Sequence, residues 1–365
     1  MKGPLDGLLV LDFSTLLPGP LATLILAEAG AEVIKVERPG RGDEMRSYAP
    51  RWGGDGVNFA LLNRGKRSLA LDLKDPASRA VLDPLLARAD VVMEQFRPGV
   101  MERLGLGHAA IAARNPRVIT CSITGYGQTG PKRDVAGHDL NYLGDAGMLS
   151  LSHGEAARPV VPPALVADIA GGAYPAVINI LLALIRRGIT GQGAHLDVAM
   201  ADNVWPFLYW AMGNGLAAGQ WPGNGTDLVT GGTPRYRLYA AGDGRLVAAA
   251  PIEDKFWAAF CDAIGLEPEW RDDARDPAGT AARVAAILAT RPADAWRPVF
   301  ARADCCTSIV ATVQEALADP HFAARGLFAR GVVAPDGARL PALPTPIAPA
   351  LRADAAEAPW PALPA

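Results

Sequence analysis

Short apolar runs alternate with helical patterns through the first half of the chain. Residues 8–13 have the length and composition of a buried strand, and residues 21–28 predict a helix that ends at Gly30. Residues 33–36 form the next strand-like run. These elements predict a βαβ unit, whose crossover is expected to be right-handed.

The same alternation continues through residues 68–73, 76–88 and 91–94 and the strand around Ile119. Several parallel strands with intervening helices predict a Rossmann-like, doubly wound α/β fold. We assign this large domain to residues 1–212. No G-x-G-x-x-G motif follows the first strand, so the pattern disfavours an enzyme that uses a nicotinamide dinucleotide.

The second half of the chain has a different pattern. Residues 213–232 are rich in Gly, Asn and Thr and are interpreted as a linker. Two strand-like runs then flank Gly242-Asp-Gly244, which is typical of a hairpin turn, and helical patterns follow to about Gly326. We predict a small α+β domain over 233–326. The segment 327–365 is expected to be extended and to return to the large domain.

Composition narrows the class of protein. The chain has 365 residues, of which 50% are hydrophobic and 20% charged, so it can bury sizeable cores and is expected to form about two domains. A net charge of -3 gives no reason to expect nucleic acid or a membrane surface as a partner. The apolar run at 176–185 is interpreted as a buried helix, too short to span a bilayer.

Cysteine usage and the N-terminus indicate where the protein works. The four cysteines form neither a C-x-x-C pair nor a cluster with zinc-site spacing. The first residues lack the apolar core of a secretory signal. We therefore expect reduced thiols, a cytoplasmic protein and no metal site.

The segment 125–142 is the strongest candidate for chemistry. It follows a strand-like run and passes through a Gly/Pro-rich loop that starts at Gly125 and Tyr126. It then delivers His138 and Asp139 where an apolar segment begins. Glycine lets backbone approach a ligand closely, and the first amides of a helix are outward-pointing donors. An imidazole beside such donors is suited to proton transfer next to a developing negative oxygen.

Cationic side chains of the first domain are grouped, and most of them lie just after predicted strands, where α/β domains bind ligands. The groups are Lys35, Arg38 and Arg41, then Arg64, Lys66 and Arg67, and then Arg97 and Arg103. Clustered guanidinium and ammonium groups beside glycines are suited to phosphates. The alternative interpretation is a solvated basic face that balances acids such as Glu28, Glu37 and Asp43.

Two further carboxylates are candidates for a site. Asp168 lies in an apolar segment just before two glycines, and burial there would raise its pKa and suit it to acid/base work. The alternative is that Asp168 caps the following helix. Glu253 follows a strand and opens a helix, which on its own indicates only a structural role.

Five motifs stand together in an order that resembles the class III coenzyme A transferase family, also called the CaiB/BaiF family. The motifs lie at 36–40, 62–74, 96–100, 125–142 and 191–193. The resemblance extends from Leu5 to about Gly326. The sequence Gly-His-Asp-Leu-Asn-Tyr at 137–142 is most similar to the α-methylacyl-CoA racemase branch of that family.

The resemblance implies roles for individual residues. His138 and Asp168 match an acid/base pair, Glu253 matches a carboxylate that orients the histidine, and Asp139 lies where a helix-start amide holds the thioester oxygen. The residues that we assign to coenzyme A are Arg38, Arg64, Lys66, Arg97, Arg103, Gly125 and Tyr126. The resemblance also implies an interlinked homodimer and an acyl-CoA substrate, with no permanently bound cofactor.

Two other functions stay open at this point. A coenzyme A transferase would use Asp168 as a nucleophile that forms an aspartyl-CoA thioester, although Gly231-Gly-Thr-Pro234 is a poor version of the Gly-rich loop that such enzymes often carry. A non-catalytic acyl-CoA binding protein is the third possibility. His138 and Glu253 favour the racemase.

Overall fold

Six parallel strands form the central sheet of the computed structural model, which describes residues 3–155 and 157–364. The strands are β1 Leu9–Asp12, β2 Glu32–Glu37, β3 Arg67–Ala70, β4 Val91–Glu94, β5 Ile119–Thr124 and β6 Ala194–Ala199. They lie in the order β3-β2-β1-β4-β5-β6, and every neighbouring pair is parallel. The prediction of a doubly wound parallel sheet is therefore confirmed. The strand order reverses between β1 and β4, which is where such sheets bind ligands.

Helices surround this sheet. They are α1 Pro18–Glu28, α2 Val57–Asn63, α3 Ser78–Arg88, α4 Val100–Arg103, α5 His108–Ala112, α6 Asp139–Asp145 and α7 Tyr174–Thr190. Helix α1 begins three residues before its predicted start, because Pro18 has the fixed φ that suits a first helical turn. Apolar side chains from β1, β4 and α3 form one continuous core, which includes Leu11, Val92 and Leu82.

Helix α7 continues a π-helical segment, Ala167–Ala173. The continuous helix Ala167–Thr190 is longer than the apolar run at 176–185, and by length and composition it could cross a membrane. The run 176–185 is therefore only part of a longer helix than the sequence predicted. Length and composition do not separate a membrane span from the core helix of a soluble protein, so the helix alone is weak evidence for a membrane.

The chain divides into two compact units. One contains the residues up to Ala146, Pro163–Phe207 and the residues from His321 onward, and the other contains Gly147–Pro162 and Leu208–Pro320. We predicted domain boundaries at 212 and 232 with a linker between them. Residues up to Ala218 within that linker are helical, and Gly147–Pro162 groups with the second unit.

The second unit has an antiparallel sheet of β7 Arg237–Ala240, β8 Leu246–Ala249 and β9 Thr307–Ile309. The hairpin between β7 and β8 was predicted, and β9 was not. Helices and sheet enclose an aromatic core that contains Trp257, Phe260, Trp296 and Phe300. The helices are α8 Tyr209–Ala218, α9 Asp254–Ile264, α10 Pro277–Leu288, α11 Ala293–Ala303, α12 Val313–Leu317 and α13 Pro320–Ala324, the last at the boundary between the units.

The C-terminal segment forms a small sheet within the first unit. Its strands are β10 Gly331–Val333, β11 Arg339–Pro341 and β12 Glu357–Pro359. Gly65 donates its backbone N–H to the carbonyl of Pro359 at 2.8 Å, and the Trp360 indole donates to Asp55 at 2.9 Å. These contacts attach the segment to the rest of the first unit.

The remaining short elements are the strand pairs Arg51–Trp52 with Asp55–Gly56 and Gly154–Glu155 with Arg158–Pro159, and the 3-10 turns Glu44–Ser47, Met148–Leu151, Asp202–Leu208, Leu228–Thr230, Pro268–Trp270 and Pro349–Leu351.

Candidate active site

The loop after β5 presents His138 at the start of α6, where the sequence predicts a helix start. His138 is the N-cap residue and its side chain is exposed. The backbone N–H of His138 donates to Oδ1 of Asn141 at 3.0 Å, which fixes the entry of the chain into the helix. Asp139 is the first residue of α6, so its amide is one of the donors that lack a partner within the helix.

Asp168 meets this helix start from the π-helical segment. It lies in the first turn of that segment rather than at an N-cap, so the capping alternative is wrong. Its backbone N–H donates to Oδ1 of the buried Asp139 at 2.9 Å. Burial raises the pKa of Asp168 to about 6, and the charge of Asp139 adds to the rise while His138 opposes it.

Close packing holds the π-helical segment in place. A Cβ atom placed on Gly171 would lie 2.5 Å from the carbonyl oxygen of Met200, so only glycine fits there. The side-chain amide of Asn203 donates to the carbonyl of Gly171 at 2.9 Å. This hydrogen bond satisfies a backbone carbonyl of the π-helical segment. Short π-helical segments are rare and often occur at functional sites.

A cavity of about 420 Å³ brings several predicted site residues together. His138, Asp168, Gly125, Tyr126 and Arg97 all line it. Gln95 and Arg133, which were not among the predicted site residues, line it as well. Gln95 follows β4 directly, and its position at the end of a central strand is the signal that could have identified it. This catalytic cavity, as we name it, holds the proposed acid/base pair.

A second cavity, of about 660 Å³, lies at the carboxyl ends of β1, β2, β3 and β4 and is named here the nucleotide cavity. Arg38 and Arg103 line it, as we predicted for coenzyme A, together with Arg41 and Lys74. Phe96 lines both cavities. Four cationic side chains beside apolar walls suit a ligand that carries phosphates and a flat base.

Lys66 and Arg64 lie elsewhere, in the interior. The Lys66 ammonium donates to the Pro20 carbonyl at 2.9 Å and to Thr23 Oγ1 at 2.7 Å, and its other partners are Asn63 and Asp12. Burial lowers the pKa of Lys66 to about 8. Arg64 is also buried and pairs with Glu28. Neither residue lines the two cavities, so we assign no ligand contact to them.

Acidic residues do pair with basic residues, as the alternative interpretation of a solvated basic face requires, but these pairs are buried inside the protein. Lys35 Nζ lies 3.0 Å from Asp43 Oδ2, and both side chains are fully buried. Arg46 pairs with Glu37 at 2.7 Å, again with little exposure. Most of these basic residues therefore fall into two sets, one buried in ion pairs and the other lining the two cavities. Arg67 belongs to neither set, because it is exposed and pairs with Glu32.

Glu253 lies on the second unit. It is the N-cap residue of α9, as the sequence predicts, and its side chain is exposed without a capping hydrogen bond. Its contact with His138 stays a prediction. In the described ranges 3–155 and 157–364, no group of three or more His, Cys, Asp or Glu side chains could hold a metal ion.

Comparison with known proteins identifies the family. The sequence profile of CoA-transferase family III matches residues 5–365. Human α-methylacyl-CoA racemase is 34% identical over 328 residues, which cover 89% of this chain and 82% of the relative. Acetyl-CoA:oxalate CoA-transferase from Acetobacter aceti is 36% identical, over 92% of this chain and 88% of the relative.

Solved structures lead to the same result. A CaiB/BaiF family protein from Brucella suis matches with a TM-score of 0.82 and 31% identity, over 100% of this chain and 97% of the other. The chain therefore belongs to CoA-transferase family III, whose enzymes act on coenzyme A thioesters and include both acyl-CoA racemases and CoA-transferases.

Proposed function

We propose that the protein is an α-methylacyl-CoA racemase or epimerase that moves a proton at the carbon next to the thioester. The observation on which this rests is that His138 and Asp168 line one cavity, beside the first amide of α6. Two groups that exchange protons, together with donors for a negative oxygen, are what this reaction needs. The similarity to human α-methylacyl-CoA racemase adds support.

In the proposed mechanism the thioester carbonyl acidifies the neighbouring C–H bond. One of His138 and Asp168 removes the proton, and the other delivers a proton to the opposite face of the planar enolate. The amide of Asp139 donates to the enolate oxygen. A positioned base contributes about 10²–10⁴ in rate and a good oxyanion donor about 10²–10³, so both contributions are required.

The environment of Asp168 suits it to both directions of the reaction. Burial and the neighbouring Asp139 raise its pKa to about 6, so near neutral pH it exists in both protonation states. A group of this kind accepts a proton in one direction and donates it in the other.

Proton exchange with solvent tests the mechanism. The wild-type enzyme should incorporate deuterium from heavy water at the α-carbon of a branched acyl-CoA, as measured by mass spectrometry. His138→Ala and Asp168→Ala should each abolish exchange. Arg114→Gln, which removes an exposed cation paired with Asp83, serves as the control and should exchange normally. Exchange at the wild-type rate in either active-site variant would contradict the two-base mechanism.

The main alternative is a CoA-transferase with Asp168 as the nucleophile. The relative from Acetobacter aceti, an acetyl-CoA:oxalate CoA-transferase, favours it at 36% identity. Incubation with an acyl-CoA and a free acid acceptor, followed by mass analysis of the intact protein, distinguishes the two. A covalent CoA adduct at Asp168 would favour the transferase. Tight binding of acyl-CoA with neither exchange nor transfer would favour a non-catalytic binding protein.

We also propose a homodimer in which Glu253 of one subunit orients His138 of the other. An exposed apolar face on α7 supports a partner surface: Ile178, Leu182, Ile185 and Ile189 are each more than half exposed.

Mixed dimers of two inactive variants test the arrangement. A dimer of one Glu253→Ala subunit and one His138→Ala subunit would contain one intact site, built from the His138 of the first and the Glu253 of the second. Co-refolded inactive variants should recover about a quarter of the wild-type activity, assuming random pairing. If dimers that are shown to contain one subunit of each variant recover no activity, the proposed arrangement is wrong.

A further inference from the structure

Tyr142 is a buried side chain of the catalytic cavity that the proposed proton transfer does not use. It lies on α6, one helical turn after His138, and its backbone N–H donates to the carbonyl of His138 at 3.3 Å. Residues one turn apart lie on the same face of a helix, and long side chains lean toward the helix start. The ring of Tyr142 is therefore directed back toward the loop that delivers His138.

The hydroxyl of Tyr142 is bonded to the residue that directly precedes the histidine. It donates to the backbone carbonyl of Gly137. Burial raises the pKa of this hydroxyl, and the charges of Asp168 and Asp139 add to the rise while Arg97 opposes it. The hydroxyl therefore stays protonated, and remains a donor to the carbonyl, over the pH range in which Asp168 titrates.

Two glycines of the loop 125–138, named here the catalytic loop, fit against the ring of Tyr142. A Cβ atom placed on Gly125, where the loop starts, would lie 2.4 Å from Cε1 of the ring, and its three nearest atoms would all belong to Tyr142. A Cβ atom placed on Gly137 would lie 2.8 Å from the same Cε1 atom. Neither glycine has a positive φ, so the space that the ring fills, and not the backbone conformation, requires glycine. The ring thus contacts both ends of the catalytic loop.

The catalytic loop also contacts α6 through Tyr126. The rings of Tyr126 and Tyr142 meet edge to face, with centroids 5.2 Å apart and an angle of 85° between their planes. The hydroxyl of Tyr126 donates to Oδ2 of Asp145 at 2.6 Å, and Lys132 Nζ lies 2.8 Å from the same oxygen. Two side chains of the loop are therefore bonded to the end of α6, while Tyr142 contacts the loop from the beginning of that helix.

We propose that Tyr142 is a positioning residue for His138, whose ring and hydroxyl hold the catalytic loop in the conformation that presents the imidazole to the acyl-CoA. The role rests on the proposed function, because His138 is one of its two proton-transfer groups. Tyr142 itself exchanges no proton with the substrate. A displacement of a catalytic group by about 1 Å can slow a reaction by about 10²-fold, so the packing of one ring is sufficient to control the rate.

Two substitutions separate the contributions of the hydroxyl and the ring. Tyr142→Phe keeps the ring and removes the hydrogen bond to Gly137, so kcat for α-proton exchange should fall roughly three- to tenfold. Tyr142→Leu also removes the ring, and kcat should fall about 10²-fold. KM should stay within twofold of the wild-type value in both variants, because the tyrosine is proposed to act on His138 and not on the substrate. A rise in KM at unchanged kcat would overturn the proposal.

Tyr239→Phe is the matched control. Tyr239 is a buried tyrosine in the core of the second unit, and its hydroxyl donates to the carbonyl of Pro234 at 2.8 Å. This variant loses the same kind of hydrogen bond as Tyr142→Phe, so it measures the effect of a purely structural tyrosine. Its kcat should equal that of the wild type. Equal kcat in Tyr142→Phe and Tyr239→Phe would contradict the proposal.

Gly125→Ala tests the packing without changing the tyrosine. The added methyl overlaps the ring of Tyr142, so kcat should fall about 10²-fold. Leucine at position 142 lacks the ring atoms that the methyl would meet, so the double variant Gly125→Ala with Tyr142→Leu should be no slower than Tyr142→Leu alone. Two losses that multiply would show that the ring and the glycine act independently, and the proposal would be wrong.

Nuclear magnetic resonance of the imidazole tests the role of Tyr142 without requiring turnover. The His138 signals can be assigned by their absence from His138→Gln. Tyr142→Phe keeps an aromatic ring at the same place, so a change in the His138 signals in this variant reports a change in the position of the imidazole. The signals of the other histidines should not move. If the wild type exchanges no α-proton, the racemase function fails, whereas unchanged His138 signals in Tyr142→Phe would overturn the positioning role.

Discussion

The backbone N–H of Asp168 donates to the carboxylate of Asp139 at 2.9 Å, so the two acidic residues of the site are joined through a main-chain hydrogen bond. This bond connects the start of α6 with the π-helical segment. It also brings a second negative charge close to the Asp168 carboxyl, which contributes to the raised pKa. Position and protonation of Asp168 therefore both depend on Asp139.

Asp139→Asn is expected to separate these two effects. The amide oxygen still accepts from the N–H of Asp168, but the negative charge is lost, so the pKa of Asp168 should fall. In the direction in which Asp168 acts as the base, the acidic limb of the pH–rate profile should move to lower pH. The measurement is the rate of α-proton exchange between pH 4 and 8. A limb that stays in place would show that Asp139 does not influence the titration.

Asp168→Asn should stabilise the protein at neutral and alkaline pH. The pKa of Asp168 is raised in the folded protein. Between about pH 4 and 6, Asp168 therefore loses its proton in the unfolded chain before it does so in the folded protein, and the free energy of unfolding falls as pH rises. Removing the charge should add about 1–2 kcal/mol to the free energy of unfolding at pH 8, after allowance for partial exposure. Urea denaturation at pH 8 and pH 3.5 measures this, and the gain should disappear at the lower pH.

Gly171→Ala and Gly188→Ala should have opposite effects on stability. At Gly171 the added methyl would lie 2.5 Å from the Met200 carbonyl, so the π-helical segment must shift, at a cost of about 1–3 kcal/mol. At Gly188, within α7, nothing lies within 4 Å of the added methyl, and alanine should stabilise the helix by about 0.5–1 kcal/mol. Equal thermal shifts in the two variants would contradict the tight packing at Gly171.

Lys66→Met and Arg38→Gln distinguish a buried structural cation from a ligand contact. Loss of the Lys66 ammonium removes the ion-pair partner that lies 3.2 Å from the fully buried Asp12. Asp12 keeps hydrogen bonds from Ser14 and Thr23 and the nearby charge of Lys35, so the cost should be about 3 kcal/mol of folding stability, the lower end for a broken buried pair. Arg38→Gln should leave the melting temperature nearly unchanged and raise KM for acyl-CoA roughly tenfold. Chemical denaturation and steady-state kinetics of both variants provide the test. A stable Lys66→Met protein with weakened coenzyme A binding would restore the original assignment of Lys66.

The alternation of short apolar runs with helical patterns was sufficient to predict a parallel sheet, because right-handed crossovers return successive strands to one sheet. The order of the strands in that sheet was not predicted. The helix start at His138 was also predictable from its Gly/Pro-rich approach. The burial of Lys66 was not, since a basic residue just before an edge strand can face solvent or the interior, and its acidic partner Asp12 is 54 residues away in sequence. Arg133 also lacked a signal, because only the folded loop after β5 places it in the cavity with His138 and Asp168.

The attachment of the C-terminal segment has a consequence for the order of events during synthesis. Glu28, buried in α1, receives a hydrogen bond from Thr345, 317 residues later, and its partner Arg64 donates to the carbonyl of Leu343 at 3.0 Å. A ribosome releases both late residues after the whole sequence of the second unit has emerged. That unit can thus reach its native state on the nascent chain before the Rossmann-like unit acquires these buried contacts.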